Sequence, residues 1–305
     1  MTAPVLLWGS PHDVPLAAVC TALSHLGTPM FLVDQARVLE TALAFDADTG
    51  DGWLHVGDQR CDLGAVRSAY IRPDAWDRTD SVARAGPGSA PWLYASEVED
   101  AVLTWLELTH SRVVNRPAAM ASNGSKPYQI ALIRQAGFDV PDTLVTNDRE
   151  ALRAFHARHC HIVYKSNSAV RSIVSRFYFC NDDRLARLAT CPTQFQQYIP
   201  GPDYRAHVIG DEVFGHRIDC DADDYRYPGA LAARMRPWTV DAALADRLRA
   251  LAASLGLAMA GIDLRRSADG AWFCFEVNPS PGFTFFDDDE APVLARATAR
   301  LLSRP

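Results

Sequence analysis

Hydrophobic residues near the start of the chain fall in short runs set apart by turn formers. Pro4-Val5-Leu6-Leu7-Trp8-Gly9 reads as a buried strand, and Pro15 to Leu26 as a helix that Gly27 closes. Met30 to Val33 predicts a second strand, and Ala65 to Ile71 another that ends at Arg72-Pro73. This alternation predicts a small α/β domain with a mostly parallel sheet. The Gly- and Pro-rich segment 85–91 reads as a loop. After it, Leu93, Val98, Val102, Trp105, Leu106 and Leu108 recur at helical spacing between Trp92 and His110. Val113-Val114-Asn115-Arg116-Pro117 is an extended connector, and the first domain boundary is placed beside it. Further on, the pattern predicts a helix from Pro127 to Gln135 and strands near Pro141–Val145, Ile162–Lys165 and Ile173–Phe179. A helix from Pro292 to Leu302 closes the chain. The expected domains are 1–112, 113–194 and 195–305.

Two C-terminal segments alternate most clearly: Ala260-Gly261-Ile262-Asp263-Leu264-Arg265 and Phe273-Cys274-Phe275-Glu276-Val277-Asn278-Pro279. Strand side chains point to opposite faces in turn, so Glu276 and Asn278 are expected on one face and Phe273, Phe275 and Val277 on the other. Asp269-Gly270 between them is a strong hairpin signal. A two-residue turn there pairs Ala268 with Ala271 and places Asp263 opposite Glu276. Asp263, Glu276 and Asn278 then converge as three oxygen donors. Hard oxygen ligands without His or Cys suit Mg²⁺ held together with phosphates. A hairpin with a plain polar face is the alternative, which the rigid exit Pro279-Ser280-Pro281-Gly282-Phe283 weakens.

Composition narrows the classes. The 305 residues exceed one compact core, and 48% hydrophobic with 22% charged residues is ordinary for a globular enzyme. A net charge of −7 argues against nucleic acid as the main partner. Seven scattered cysteines without a C-x-x-C pair indicate neither a zinc site nor a disulfide framework. Met1 to Gly9 lacks a basic flank, and no apolar run approaches the ~20 residues of a membrane span, so a cytoplasmic protein is expected. No Gly-x-Ser-x-Gly elbow supports a hydrolase. Lys126 precedes Pro127 at a helix start, where a cation opposes the macrodipole. That placement makes sense if Lys126 and the helix start share an anion such as phosphate; a solvent-exposed lysine is the alternative.

Phe275-Glu276-Val277-Asn278-Pro279-Ser280-Pro281-Gly282-Phe283, preceded by Gly261-Ile262-Asp263-Leu264, resembles the metal-binding end of ATP-grasp ligases. The RimK-like branch is the nearest in flavour; it includes glutamate ligases acting on proteins and the macrocyclases of graspetide (microviridin-type) peptides. The resemblance runs roughly from Val113 to Phe286. It implies an α/β (α+β) ATP-grasp fold: an N-terminal Rossmann-like pre-ATP-grasp domain and two α/β subdomains that sandwich ATP. It also implies ATP, two Mg²⁺ ions with Mn²⁺ as a substitute, and joining of a carboxylate to an amine or hydroxyl through an acyl phosphate, with ADP released.

Site roles follow from the same resemblance. Lys126 and Lys165 match the two phosphate-contacting lysines. The loop 166–172, with Ser166 and Arg171 as phosphate contacts, contains no glycine, which departs from the glycine-rich loop of many relatives. Gln194-Phe195-Gln196-Gln197-Tyr198-Ile199-Pro200 resembles the adenine hinge, with backbone groups of Tyr198 and Ile199 at the adenine edge and Gln197 in place of the usual glutamate. Asp203 and Arg205 match an Asp-x-Arg beside the active site, and Arg217 a second arginine that faces the transferred phosphate; surface ion pairs of Arg217 with Asp219 or Asp223 are the alternative. Asp263, Glu276 and Asn278 match the metal ligands. The implied substrate is a peptide or protein side-chain carboxylate, with a free amino acid or small peptide as the runner-up; a homodimer is allowed for. A nucleotide-binding module without turnover and a phosphotransferase on a small alcohol are the readings from other classes. Acidic runs 219–224 and 287–290 read as solvated loops or as recruiters of a basic group.

Overall fold

The computed structural model describes residues 3–165, 175–177, 188, 190–220, 234–288 and 290–304. Ser166 and Arg171, with the rest of loop 166–172, lie outside the described residues, as does most of the acidic run 219–224.

Val5–Gly9 carries no charged side chain and forms β1, buried along its whole length. Helix α1 (Val14–His25) starts where the Asp13 carboxylate accepts from Leu16 N–H at 2.8 Å. β2 (Met30–Asp34) follows. An antiparallel meander comes next: β3 (Thr41–Phe45), β4 (Gly52–Val56) and β5 (Gln59–Asp62). Then come β6 (Ser68–Arg72), α2 (Asp80–Ala85), α3 (Ala90–Leu108) and β7 (Arg112–Val114). β2-β1-β6-β7 make one sheet with every pair parallel, which explains why the central strand reads as an unbroken apolar run.

The chain continues through α4 (Pro117–Met120), α5 (Lys126–Gln135), β8 (Thr143–Thr146), α6 (Arg149–His159), β9 (Ile162–Lys165), β10 (Ser175–Phe177) and β11 (Thr193–Gln197). β10-β9-β11-β8 form an antiparallel sheet over a core of Leu152, Phe155, Ile162, Phe177, Leu188 and Phe195. The last elements are β12 (Asp203–Ile209), β13 (Glu212–Asp219), β14 (Arg234–Trp238), α7 (Ala242–Ser254), β15 (Met259–Arg266), β16 (Trp272–Asn278) and α8 (Val293–Ser303). Their five strands are ordered β14-β13-β12-β15-β16.

By contacts the chain forms two compact units, Met1–Ala119 with Gly256–Met259 and Ser280–Pro305, and Met120–Leu255 with Ala260–Pro279. In the first unit α8 packs on α1 and β6, and Ser68 Oγ donates to Leu302 O at 2.8 Å. The buried Asn115 carboxamide holds the entry to β15: it donates to Met259 O at 2.7 Å and accepts from Ala258 N–H at 2.8 Å. None of the described helices is long and apolar enough to cross a membrane.

One titrating group of this unit has a measurable consequence. Gln35 donates to Asp74 O at 2.5 Å and reaches Glu99 Oε2 at 3.5 Å. Burial, then the neighbouring Asp100 and Asp77, pushes the Glu99 carboxyl up from 4.5 to about 7. The native state therefore binds this proton more tightly than the unfolded chain. The resulting stabilisation is complete below 4.5 and lost as pH rises through about 7. Glu99→Gln is expected to raise the melting temperature at about pH 8 and to change it little at about pH 4. Equal shifts at both would mean that Glu99 ionises normally.

Candidate active site

The hairpin β15–β16 differs from a simple two-residue turn. Ser267 N–H bonds Ala271 O at 3.0 Å, so the loop is Ala268-Asp269-Gly270, with Gly270 at φ +89°. Such three-residue loops use a residue with positive φ at their end, which glycine adopts without strain. Arg266 then pairs with Trp272 and Leu264 with Cys274, one residue out of the expected register. A bulge restores it: the next pair is Asp263 with Glu276, leaving Phe275 as the extra residue. Gly261 pairs with Asn278, so Asp263, Glu276 and Asn278 do share one face.

The bulge also corrects the expected alternation. Cys274 and Val277 are the fully buried residues of β16, whereas Phe275 packs on the Arg265 guanidinium, 5.3 Å from carbon to ring centre. A bulge turns two consecutive side chains toward one side, so Phe275 accompanies Glu276 instead of opposing it. Burial lifts the Cys274 thiol pKa above its ordinary value, leaving an inert core residue.

Both carboxylates meet cations. Lys126 Nζ contacts Glu276 Oε1. The reason lies in α5: Gln129, one helical turn after Lys126, clamps the backbone of Val277, donating to its O at 2.7 Å and accepting from its N–H at 3.0 Å. Lys126 is 7% exposed, so it is not a solvated lysine. Arg205 Nη1 reaches Asp263 Oδ1 at 2.7 Å, and its Nε faces His207 Nε2 at 3.5 Å. Burial, then Arg205 and His216, holds the His207 pKa well below its ordinary value, so this imidazole stays neutral beside the guanidinium.

Asp203 sits two residues from Arg205 but binds Arg265, in a fork of 2.8 and 2.9 Å. Arg265 also donates to Ile199 O at 2.8 Å and lies over the Tyr198 ring at 5.7 Å. Arg176 covers that ring at 4.6 Å. At the end of β11, Gln196 Nε2 donates to Thr143 Oγ1 at 3.1 Å, Gln197 N–H to Asp142 O at 2.9 Å and Tyr198 N–H to His161 O at 3.0 Å. The Ile199 N–H has no acceptor among the described residues. Lys165 ends β9 opposite Gln194 and is 7% exposed.

Arg217 is not with them. β12 and β13 pair Tyr204 with Arg217 and Arg205 with His216 without a register shift. Directly paired residues share a face and neighbours along a strand do not. Arg217 therefore lies across the sheet from Arg205 and Asp263, on the face of the Tyr204–Trp238 ring pair. There it binds Asp219 at 2.8 Å, which also meets Arg236 at 3.2 Å. The register thus separates Arg217 from Arg205 and Asp263, and Arg217 makes the surface ion pair with Asp219 weighed as the alternative to facing the transferred phosphate.

Gln129, His207 and Arg265 are contributors the sequence analysis does not single out. Arg265 had a signal, since it falls two residues after Asp263 on the same strand. The all-oxygen set Asp263, Glu276 and Asn278 fits Mg²⁺, with two negative charges on one face. Among the described residues no group of three His, Cys, Asp or Glu side chains is placed to hold a metal, so a site here depends on the Asn278 carboxamide.

No family model matches the chain. Among solved structures, the ATP-grasp ligase PsnB complexed with minimal precursor, Mg and ADP is similar at 27% identity and a TM-score of 0.80, covering 98% of this chain and 97% of its own. The macrocyclase MdnC from Microcystis aeruginosa MRC, bound with precursor peptide MdnA, has a TM-score of 0.80 at 21% identity, over 99% of this chain and 100% of its own. Beta-citrylglutamate synthase B from Homo sapiens is 27% identical over 234 residues, 70% of this chain, and the chain spans 59% of that relative's length. The fold is that of the ATP-grasp class. The curated relatives are RimK-like synthases, and it is that branch of ligases the chain resembles.

Proposed function

We propose that the protein is an ATP-dependent ligase that activates a peptide or protein side-chain carboxylate as an acyl phosphate and passes it to an amine or hydroxyl. The observation that carries this is the single sheet face where Asp263, Glu276 and Asn278 converge, with Arg205 and Lys126 bonded to the two carboxylates. In this reading the three oxygens hold Mg²⁺, which supplies charge neutralisation for ATP's phosphates. Lys126, Lys165 and Arg205 are point and fork charges for the phosphate oxygens. Asp203 is a positioning residue, because it fixes Arg265 against Tyr198 and the Ile199 carbonyl. The Ile199 N–H is a donor for the adenine edge, and Gln196 and Gln197 anchor the hinge strand beside it. Ser166 and Arg171 remain assigned to the phosphates through the resemblance alone.

The chemistry is positioning and charge compensation, so no covalent nucleophile of the protein is needed. A carboxylate oxygen attacks the γ-phosphorus and ADP leaves. The amine or hydroxyl then attacks the acyl carbon, losing its proton, and phosphate departs with one oxygen of the original carboxylate. PsnB, complexed with a minimal precursor, and MdnC, bound with a precursor peptide, favour a peptide substrate; the citrylglutamate synthase favours the second reading, a free amino acid or small peptide.

Peptides with ¹⁸O-labelled Glu and Asp carboxylates, offered with Mg²⁺ and ATP alongside Ser, Thr and Lys acceptors, test the route. The expected result is ADP and ¹⁸O in the released phosphate. ADP with unlabelled phosphate would exclude carboxylate activation, and phosphate retained on the product would reveal a phosphotransferase. Label transfer from free glutamate but not from peptides would favour the second reading.

A further inference from the structure

At the amino-terminal edge of the parallel sheet, Arg67 directly precedes β6 and Arg112 opens β7, where it pairs with Ser68. Together with His110, Arg116 and Arg304 they line an open cleft of about 450 Å³ that contains no acidic side chain. This is unexpected in a chain with a net charge of −7.

The arginines have a structural task that accounts for only part of their charge. Arg116 donates to the carbonyls of Leu106, Glu107, Thr109 and Ser111, closing the end of α3. Arg67 Nη1 donates to Ser303 O at 2.7 Å and Arg112 Nη1 to Leu301 O at 2.8 Å, closing the end of α8. Each helix end carries about half a negative charge, so two ends offset about one of these three positive charges and leave about two. No carboxylate among the described residues pairs with any of the three.

Hydrogen-bonding capacity points the same way. A guanidinium has five N–H donors in a rigid fork. In Arg67 and Arg112 only Nη1 is tethered, so Nε and Nη2 of both have no protein acceptor among the described residues. That edge is the geometry that takes a carboxylate through two parallel bonds. Tethering by Nη1 orients each fork before a ligand arrives, which lowers the ordering cost of binding.

We propose that this cleft binds an acidic peptide segment, with neighbouring Asp or Glu carboxylates taken by the Nε–Nη2 edges of Arg67 and Arg112. The choice of a peptide rests on the proposed function; a nucleic acid is disfavoured by the repulsion of a chain whose overall charge is negative. The cleft belongs to the first unit alone.

The test is fluorescence anisotropy of the full chain with a fluorescein-labelled peptide of alternating Asp and Glu, without nucleotide. The expected result is saturable binding that weakens about tenfold from low salt to ~0.15 M. Arg112→Gln should weaken it about tenfold, since one charge-assisted fork is lost. Because that variant also loosens the end of α8, His110→Asp is the control: it replaces an exposed rim residue, should keep the wild-type melting temperature, and should still weaken binding severalfold. Binding unchanged in both variants, or none at low salt, would overturn the proposal. Displacement by equimolar inorganic phosphate would make it a small-anion site, and stronger binding of a single-stranded oligonucleotide would replace the peptide; either overturns it. No ATP enters the assay, so its failure is distinct from failure of the labelled-oxygen experiment.

Discussion

Glu276→Gln is expected to abolish ADP formation and, at the same time, to destabilise the fold. The first effect follows from the loss of one of only two negative ligands on the proposed metal face, with turnover falling ~100-fold or more. The second follows from Lys126. Its side chain is 8% exposed and that of Glu276 13%, so removing one charge strands the other in a poorly solvated place. Breaking such a pair by removing one partner costs about 3–5 kcal/mol, whereas replacing both with apolar or neutral groups is often close to neutral. Lys126→Met combined with Glu276→Gln should therefore recover most of the stability and none of the activity. Urea melts and steady-state ADP release of the two single variants and the double variant check this. If Glu276→Gln melts like the wild type, the pair is solvated and does not support the site.

Arg205 and Arg217 are expected to part company. Arg205→Gln removes a guanidinium bonded to Asp263 on the proposed phosphate face, and kcat should fall ~100- to 1000-fold, as when a donor to developing negative charge is lost. Arg217→Ala removes half of a solvent-exposed ion pair on the opposite face, worth about 0–1 kcal/mol, so kcat should stay within about threefold of wild type. Comparing kcat with KM for ATP in both variants decides the matter. A larger kcat loss in Arg217→Ala than in Arg205→Gln would place the chemistry on the Tyr204–Trp238 face.

How far the chain could be read in advance depended on whether a signal was local. The apolar run of β1 and the alternation around Asp263 and Glu276 are local, and both lead to the elements found. The resemblance carried the fold class, and the likeness to PsnB agrees with it. Helices α6 and α7 are not among the expected elements, although Asp148 and Asp241 cap them in the usual way. The meander β3–β5 is short and mixes buried, half-buried and exposed positions, so its residues lack a clear apolar face. Arg217 required the register of β12 against β13, a long-range property that no spacing within one strand contains. The docking of α8 on α1 is of the same kind, since an amphipathic pattern names a buried face but not its partner. Lys126 lies between these cases: its odd position at a helix start was visible, while Glu276 as its partner was not.

The bulge at Phe275 has a consequence for changes in chain length. A single-residue deletion inside a strand normally inverts every side chain beyond it, exchanging inner and outer faces. Phe275 is an exception, because it is the residue that β15 does not match. Losing it would straighten the ladder with Cys274 still opposite Leu264 and Glu276 still opposite Asp263. Homologous chains one residue shorter at this point can therefore keep the same acids in phase. What they would lack is the ring on the Arg265 guanidinium, so the hinge at Tyr198 would differ between long and short versions while the carboxylates would not.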